Sequence, residues 1–161
     1  MKLITAIIET PKGNTAKYDY DQEGGYFKLS KTMPAGLVFP FDFGFIPHTK
    51  GDDGDPLDII VISELITFTG CAVDCRIIGA MAAEQKERKG KKIRNDRYIA
   101  VPSVSELFKD VHSSEQLPET YMKQLEDFFK NYNKGTGKKF KVLEVLDFKR
   151  AYKLLEKQLK K

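Results

Sequence analysis

The first two thirds of the chain is a series of short segments whose alternating polar and apolar residues are typical of β-strands. Turn-forming stretches such as Pro11-Lys12-Gly13-Asn14 and Glu23-Gly24-Gly25 separate them. Six of these segments are predicted as strands: Leu3–Glu9, Lys17–Tyr20, Tyr26–Leu29, Asp58–Ile62, Val73–Met81 and Arg97–Val101. Many short strands at close spacing favour a small sheet that closes on itself.

The last third of the chain predicts two helices separated by one strand. Pro118 suits a first helical position, and apolar residues then recur at helical spacing until Gly135 ends the pattern. A strand is predicted at Phe140–Leu146, after which Asp147 can cap a final amphipathic helix. The predicted fold class is therefore α+β, mainly β: a small closed OB-like β-barrel with two main helices packed outside it. We expect one domain over residues 1–161, because a chain of that length can bury its own core.

The formal net charge of +4 hides an uneven distribution of charged residues. Residues 86–97 contain seven Lys or Arg against two acidic residues, and residues 149–161 contain six against one. Without these two segments the chain has fourteen basic and twenty acidic side chains, a net charge of −6. The second segment suits the C-terminal end of a helix, where lysines complement the helix dipole. We do not expect nucleic acid as a partner, because a carboxylate-rich body repels a polyanion.

The compartment is inferred from apolar runs and cysteines. No apolar run approaches the ~18–20 residues that span a bilayer, and Glu9 interrupts the apolar start before a signal-peptide core is reached. Cys71 and Cys75 are four residues apart in a strand-like segment, roughly 13 Å, which is too far for a disulfide. Without a His nearby they also make a poor zinc site. We expect two unpaired thiols, a cytoplasmic location and no membrane partner.

The most informative segment is an acidic loop, Asp52-Asp53-Gly54-Asp55-Pro56-Leu57-Asp58. Four carboxylates within seven residues repel one another unless a cation lies among them. Gly54 permits a tight turn, and Pro56 stiffens the exit into the next strand. An ordinary acidic turn and a magnesium site for phosphate are both compatible with this pattern. A calcium loop of the EF-hand type is not, because Leu57 and Asp58 stand where that loop needs a ligand and a glycine.

The segment Asp53–Asp58 resembles the signature Asp-Gly-Asp-Pro-hydrophobic-Asp of the family I soluble inorganic pyrophosphatases. Five further segments resemble motifs of that family, in the family's order. They are Ile8–Gly13, Lys17-Tyr18-Asp19, Phe39–Pro47, Ala100-Val101-Pro102 and Phe128–Tyr132. The resemblance runs from about residue 5 to residue 146 at compatible spacing, and it implies the barrel fold of the family.

The resemblance implies hydrolysis of inorganic pyrophosphate to two phosphates, with Mg²⁺ as the cofactor. In the family, Mg²⁺ ions join aspartates to pyrophosphate, and a metal-bridging water attacks one phosphorus in line. By position, Asp53, Asp55 and Asp58 match metal ligands, and Asp55 matches the residue closest to the attacking water. Glu9 matches a further catalytic position.

The resemblance also implies the residues that bind phosphate and the partners of the chain. The implied substrate-binding residues are Lys17, Lys31, Arg97, Tyr132 and Lys134. The implied ligands are pyrophosphate and phosphate. Chains of this length in the family are typically hexamers of two trimers, so the resemblance implies a homo-hexamer.

Several positions depart from the family pattern. Lys31 replaces an arginine and Arg97 replaces a lysine, two residues that are not interchangeable at phosphate sites. Phe43 replaces a tyrosine and so removes a hydroxyl. Asn133 stands where a phosphate-binding lysine is usual, although Lys134 is the next residue.

The segment after Gly79 departs most. Gln85 and Asn95 stand where the family has two metal-binding aspartates, and the cationic insertion 86–94 lies between them. A shifted loop would allow Glu84, Glu87 or Asp96 to substitute. One carboxylate lost at close range to Mg²⁺ costs on the order of several kcal/mol before screening. We therefore expect fewer tightly bound Mg²⁺ ions than in the family. A further hypothesis is that the basic loop 86–97 supplies positive charge to a phosphate group.

Three alternatives to pyrophosphate hydrolysis remain open from the sequence. The first is a related hydrolase of another phosphoanhydride. The second is a degenerate paralogue that binds phosphate, nucleotide or a protein with weak or no turnover. The third and weakest is a nucleic-acid-binding barrel that uses the basic loop.

Overall fold

Strands dominate the computed structural model, which describes residues 2–159. In chain order they are β1 (Ile4–Thr10), β2 (Ala16–Asp21), β3 (Tyr26–Thr32), β4 (Asp42–Ile46), β5 (Leu57–Val61), β6 (Ala72–Lys86), β7 (Lys92–Arg94), β8 (Arg97–Pro102) and β9 (Lys139–Asp147). A short 3₁₀ helix at Ser114–Gln116 precedes α1 (Glu119–Tyr132), and α2 (Phe148–Leu159) follows β9 directly. Every strand and helix predicted from the sequence is present, with ends that differ by a few residues.

Five of the strands form a closed ring. β1 pairs with β4, β4 with β5, β5 with β8 and β8 with β6, and β6 returns to β1 with Ile4 opposite Cys75. All of these pairs are antiparallel except β5 and β8. A closed ring leaves no unpaired strand edge within it. The predicted class, mainly β with a closed sheet and two helices outside, is confirmed.

The long strand β6 reaches beyond the ring and carries the elements that shape the functional site. It continues to Lys86, five residues past the predicted end, because β7 and β9 pair with its second half. The β6–β7 pairing makes the basic loop a hairpin, with Gln85 opposite Ile93 and Lys86 opposite Lys92. β2 and β3 form a separate two-stranded hairpin.

Two strands, β4 and β7, are absent from the sequence predictions. β4 has the breaker Gly44 at its centre, and glycine normally weakens a strand. At this position a Cβ would lie 2.0 Å from the carbonyl oxygen of Ile7, so only glycine permits β4 to approach β1. β7 has three residues and exists as the partner of β6.

The ring strands bury apolar side chains on both of their faces. Residues from all five ring strands, Ile59 of β5 among them, form one cluster that Leu155 of α2 extends. The next residue of β5, Ile60, points the other way into a second cluster under α1 that contains Phe128. Truncating a buried phenylalanine of this kind to alanine costs about 3–5 kcal/mol. These two clusters fix α1 and α2 on the sheet.

The predictions for the ends of the helices and for the cysteines are confirmed except for the position of Pro118. Pro118 occupies the N-cap of α1, one residue before the first helical position that was predicted for it. Asp147 does cap α2, because its Oδ1 accepts a hydrogen bond of 2.9 Å from the Arg150 backbone N–H. Cys71 and Cys75 are both unpaired, as predicted. Within residues 2–159, neither helix combines the length and the apolar character needed to span a bilayer.

Candidate active site

A cleft of about 670 Å³ opens between the β2–β3 hairpin, the acidic loop, the β6–β7 hairpin and the loop after α1. Eight of the nine site residues predicted from the sequence line it. They are Glu9, Lys17, Lys31, Asp53, Asp55, Asp58, Arg97 and Tyr132. The ninth, Lys134, does not line the cleft and is exposed. Residues that are far apart in the chain therefore converge at one place.

The acidic loop is a tight turn held by its own backbone. The Gly51 N–H donates to the carbonyl of Asp55 at 2.7 Å, and the Gly54 N–H donates to the carbonyl of Gly51 at 3.1 Å. Gly54 has φ +93°, a left-handed conformation that residues with a side chain rarely adopt. Asp53 Oδ1 accepts a further bond from the Asp55 N–H at 3.1 Å. The turn presents Asp53 and Asp55 to the cleft, and Asp58 follows from the start of β5.

Asp58 faces a buried arginine because β5 and β8 are parallel and place Asp58 opposite Arg97. The Asp58 Oδ2 and Arg97 Nη2 atoms are 3.8 Å apart. Burial raises the pKa of Asp58 to about 6, although the positive charge of Arg97 opposes the shift. Burial also lowers the pKa of Arg97, while Asp58 raises it. Neither charge is fully compensated by the other.

The Arg97 guanidinium lies between two aromatic rings. Its central carbon is 4.2 Å from the ring centre of Phe129 and 4.6 Å from that of Phe140. Nη1 donates to the backbone oxygen of Asn95 at 3.1 Å, while Nε has no hydrogen-bond partner among residues 2–159. A buried donor without a partner costs about 1–3 kcal/mol. The arrangement holds a rigid cation in the cleft that retains capacity to bind an anion.

Glu9 has the properties of a proton-transfer group. Burial raises its pKa from 4.5 to about 7, although the Tyr20 backbone N–H, which donates to Oε1 at 2.9 Å, opposes the shift. Lys17 also opposes it, through its positive charge. A carboxyl group with a pKa near neutrality can both accept and return a proton at physiological pH.

Two lysines of the β2–β3 hairpin supply further positive charge. Lys17 and Lys31 are opposite each other in the hairpin register. The Lys31 ammonium lies 3.8 Å from the ring centre of Tyr132 and the Lys17 ammonium 6.0 Å from it. Lys17 also forms an ion pair with Asp19. Burial alone would lower the pKa of Lys17, but Tyr132 and Asp19 outweigh it and raise that pKa, so the ammonium stays charged.

Gln85 and Asn95, two positions at which the resemblance implied a departure from the family pattern, both line the cleft. Of the three candidate substitutes, only Glu87 lines the cleft; Glu84 pairs with Lys92 at 3.4 Å. Of the alternatives that the sequence left open, Glu84 is therefore not placed to substitute for the missing carboxylates.

Asp96 is buried away from the cleft. Its Oδ1 accepts from the Ala83 N–H at 3.0 Å and from Arg94, and its Oδ2 has no hydrogen-bond partner among residues 2–159. Asn133 does line the cleft, but its amide donates to the Phe129 carbonyl at 3.0 Å and so completes the end of α1. Neither side chain supplies a charge to the cleft.

The basic loop turns most of its positive charge outward. Cross-strand partners share a face of a sheet, and Gln85 and Ile93 lie on the cleft side. Lys86 and Lys92 are therefore on the opposite side, and none of the basic residues of 86–94 lines the cleft. The hypothesis that this loop neutralises phosphate directly is not supported by their placement. Arg97, at the end of the basic loop, does line the cleft.

Lys138 is a cleft residue that sequence reasoning missed. It follows the turn after α1, in which the Lys134 N–H donates to the Asn131 carbonyl at 3.1 Å and the Thr136 N–H to that of Asn133 at 3.2 Å. This turn places Lys138 in the cleft and leaves Lys134 outside. No local pattern distinguishes the two lysines.

The carboxylates fit a divalent cation by their chemistry. Asp53, Asp55 and Asp58 all line the cleft and offer the oxygen ligands that Mg²⁺ prefers. Burial and the neighbouring carboxylates raise the pKa of Asp53 and of Asp58, a penalty that a bound cation relieves. Within residues 2–159, no three His, Cys, Asp or Glu side chains already lie close enough together to hold a metal ion. The assignment of the three aspartates as metal ligands stays a prediction.

Comparisons with known proteins show the family of the chain. The family model for inorganic pyrophosphatase matches residues 6–161. The inorganic pyrophosphatase of Halalkalibacterium halodurans is 37% identical over 155 residues, which cover 96% of this chain and 92% of that protein. The chain belongs to the inorganic pyrophosphatase family.

Solved structures of the family superpose on almost the whole chain. The inorganic pyrophosphatase of Thermus thermophilus is 30% identical with a TM-score of 0.88, covering 98% of this chain and 89% of that one. That of Helicobacter pylori is 27% identical with a TM-score of 0.89, covering 99% and 92%. The ring of strands and its outer helices are therefore those of the family.

Proposed function

We propose that this protein hydrolyses inorganic pyrophosphate to two phosphate ions with Mg²⁺ as its cofactor. The observation that carries the proposal is the cleft itself, which is large enough for a diphosphate and brings four predicted carboxylates together with three predicted cations: Glu9, Asp53, Asp55 and Asp58 with Lys17, Lys31 and Arg97. Membership of the inorganic pyrophosphatase family supports the reaction. An anionic substrate cannot bind beside these four carboxylates unless a positive charge lies between the substrate and the carboxylates.

Asp53, Asp55 and Asp58 are the residues that would hold the cation. When bound, Mg²⁺ supplies Lewis acidity and neutralises phosphate oxygens. Asp55 is exposed and lines the cleft, and it is suited to orient the attacking water. Glu9, with its pKa of about 7, is suited to accept a proton during the attack and to return it afterwards.

The cations of the cleft bind the phosphate groups. Arg97 is fixed between Phe129 and Phe140, so it donates from one position without losing side-chain freedom on binding. Lys17 and Lys31 approach from the β2–β3 hairpin, next to the Tyr132 ring. Charge stabilisation of this kind is the main requirement of phosphoryl transfer, in which little covalent chemistry falls to the protein.

The location and assembly of the protein are part of the same proposal. We place it in the cytoplasm, where two free thiols are the usual state of cysteine. We also propose the homo-hexamer that the family resemblance implies. Exposed apolar side chains support self-association: Ile66 is 94% exposed, Leu107 70% and Val104 72%. Light scattering behind size-exclusion chromatography measures the stoichiometry directly.

A phosphate-release assay tests the reaction. We expect purified protein to release phosphate from pyrophosphate in the presence of Mg²⁺, to stop in excess EDTA and to recover when Mg²⁺ is restored. Pyrophosphate should be a better substrate than ATP or tripolyphosphate at equal concentration. Faster hydrolysis of either of these would favour the related-hydrolase alternative, and no release from any of them would favour a non-catalytic phosphate-binding protein.

A further inference from the structure

Two loops meet at the outer rim of the cleft through an ion pair. Glu87 lies at the tip of the β6–β7 hairpin and Lys138 in the loop between α1 and β9, and both line the cleft. The Lys138 Nζ and Glu87 Oε2 atoms are 3.3 Å apart. The second oxygen of Glu87 accepts a 2.8 Å hydrogen bond from the amide of Gln85. Both carboxylate oxygens of Glu87 are thus engaged, one by a cation and one by a neutral group.

The backbone holds Glu87 in this position. Its N–H donates to the Lys91 carbonyl at 2.7 Å, and its carbonyl accepts from the Gly90 N–H at 2.9 Å. The adjacent Arg88 donates to the Thr136 carbonyl and packs on Gly137, where a Cβ would lie 2.9 Å from the Arg88 Cγ. The hairpin and the α1–β9 loop are therefore joined beside the ion pair, and the distance between Glu87 and Lys138 does not depend on these two side chains alone.

The pair is well suited to exchange partners with an anion. The side chains of Lys138 and Glu87 are 40% and 28% exposed. Ion pairs this exposed contribute only about 0–1 kcal/mol, so a more highly charged phosphate group can replace the carboxylate on Lys138. Glu87 also opposes an arriving anion, because it is a negative charge at the mouth of the cleft.

We propose that Lys138 is a phosphate-binding residue of the cleft and that Glu87 is its resting counter-ion, which a phosphate group displaces. The inference rests on the proposed function for the identity of the natural anion. The pair then acts as a threshold for charge: a multiply charged phosphate displaces Glu87, and a singly charged anion does not. Gln85 holds the displaced carboxylate beside the site, ready to return when phosphate leaves.

The test measures binding of inorganic phosphate by calorimetry, together with KM and kcat for pyrophosphate. We expect Glu87→Gln to tighten phosphate binding and to lower KM about three- to tenfold, because the competing carboxylate is gone. Lys138→Gln should weaken both by about the same factor. kcat should change less than twofold in each variant, since neither side chain reaches the carboxylates that carry the chemistry. In Lys138→Gln, the further change Glu87→Gln should have less effect than in the unaltered chain.

Two matched variants control for charge and for loop structure. Glu84→Gln removes a carboxylate from the same hairpin, one paired with Lys92 on the side away from the cleft. Lys134→Gln removes an exposed lysine from the same loop as Lys138. Neither should change phosphate affinity by more than about 1.5-fold.

Three results would overturn the proposal. If Glu87→Gln weakened phosphate binding as Lys138→Gln does, the pair would only hold the loops together. If Glu84→Gln tightened binding as much as Glu87→Gln, general surface charge would explain the effect. If Lys138→Gln left phosphate binding unchanged, Lys138 would not contact the anion. Because phosphate binding is measured without turnover, these results are independent of whether the unaltered chain hydrolyses pyrophosphate.

Discussion

The two walls of the cleft differ in how they can balance the negative charge of a phosphate group. The first, the carboxylate wall of Glu9, Asp53, Asp55 and Asp58, gathers negative charge and is ready for a diffusible cation. The second, the amide wall, contains the neutral side chains Gln85 and Asn95 and the buried guanidinium of Arg97. On the proposed function, the first wall binds a metal ion before a phosphate approaches it, whereas the second wall already contains the positive charge of Arg97.

This difference suggests how the chain tolerates its departures from the family pattern. By the family resemblance, the amides at positions 85 and 95 stand in place of two metal-binding aspartates and so imply two fewer negative charges. Arg97, unlike the shorter ammonium of a lysine, remains charged when buried and can donate in several directions. Metal binding should then be confined to the carboxylate wall, and the predictions below are designed to separate the two walls.

The largest effect is expected at the carboxylate wall, from Asp55→Asn. The amide keeps the size of the side chain and removes the charge that would hold the cation and orient the attacking water, so phosphate release from pyrophosphate should fall by roughly 10²–10⁴-fold. Stability should change by about 0.5 kcal/mol or less, because the side chain is exposed.

Asp52→Asn is the matched control for this substitution. Asp52 belongs to the same acidic loop but does not line the cleft. Its variant should retain activity within about threefold. Equal losses in the two variants would mean that the loop acts through its total charge, and that Asp55 has no individual role.

A smaller loss is expected at the amide wall. Arg97→Gln should lower kcat/KM for pyrophosphate by about 10²-fold and destabilise the fold by about 3 kcal/mol, because Asp58 loses its partner. Arg97→Lys should recover part of the stability and little of the activity, since an ammonium keeps the charge but not the fork between Phe129 and Phe140. Urea unfolding and steady-state kinetics measure the two effects.

Arg150→Lys provides the reference for Arg97→Lys. Arg150 is an exposed arginine that pairs with Glu144 on the outside of the molecule. This variant should differ from the unaltered chain by less than about 0.5 kcal/mol and not at all in activity. If Arg97→Lys changed stability and activity as little as Arg150→Lys, the rigid guanidinium of Arg97 would have no special role in the amide wall.

The elements of the fold were predictable where the signal is local. Alternation located six strands in the first two thirds of the chain, and helical spacing located α1 and α2. β4 was missed because its central Gly44 is required by a contact with Ile7, and that contact exists only after β1 and β4 pair. β7 was missed for a similar reason, since three residues carry no periodicity of their own.

The site shows the same division between local and non-local information. The family motifs located eight of the nine predicted residues in the cleft. They did not distinguish Lys134 from Lys138, because the turn between α1 and β9 decides which lysine faces inward. They also left Glu84, Glu87 and Asp96 equivalent. The hairpin turn after β6 places Glu87 in the cleft, whereas Glu84 pairs with Lys92 outside it.

Glu9→Gln should show how much the buried carboxylate of Glu9 lowers the free energy of unfolding. Burial raises the pKa of Glu9 from 4.5 to about 7, so between those values the folded protein binds more protons than the unfolded chain. Stability therefore falls as pH rises through this window, and the penalty is absent below the unfolded value and complete above the folded one. Without metal, the variant should gain about 1–3 kcal/mol over the unaltered protein at a pH of about 8, and almost nothing near pH 4.

Thermal unfolding in EDTA across that pH range measures the effect, with Glu156→Gln on the exposed side of α2 as the control. The control should show no such dependence on pH. A difference between Glu9→Gln and the unaltered chain that stayed constant with pH would mean that Glu9 is not buried as an unfavourable charge. Activity should fall in the same variant, because an amide cannot accept a proton.

The smallest expected change, and the most direct comparison of the two walls, comes from adding charge to the amide wall. The double variant Gln85→Asp, Asn95→Asp adds two carboxylates to the cleft that Asp53 and Asp58 also line. We expect calorimetry to detect one additional Mg²⁺, or a roughly tenfold gain in the tightest affinity, because a divalent cation then has more oxygen ligands within the cleft. The matched control is Gln124→Asp on the exposed side of α1, which adds charge outside the cleft. If the double variant bound no additional Mg²⁺, the positive charge of Arg97 would already balance the amide wall, and a metal ion could not compete with it. If Gln124→Asp produced the same gain, net charge alone would explain the difference between the two walls.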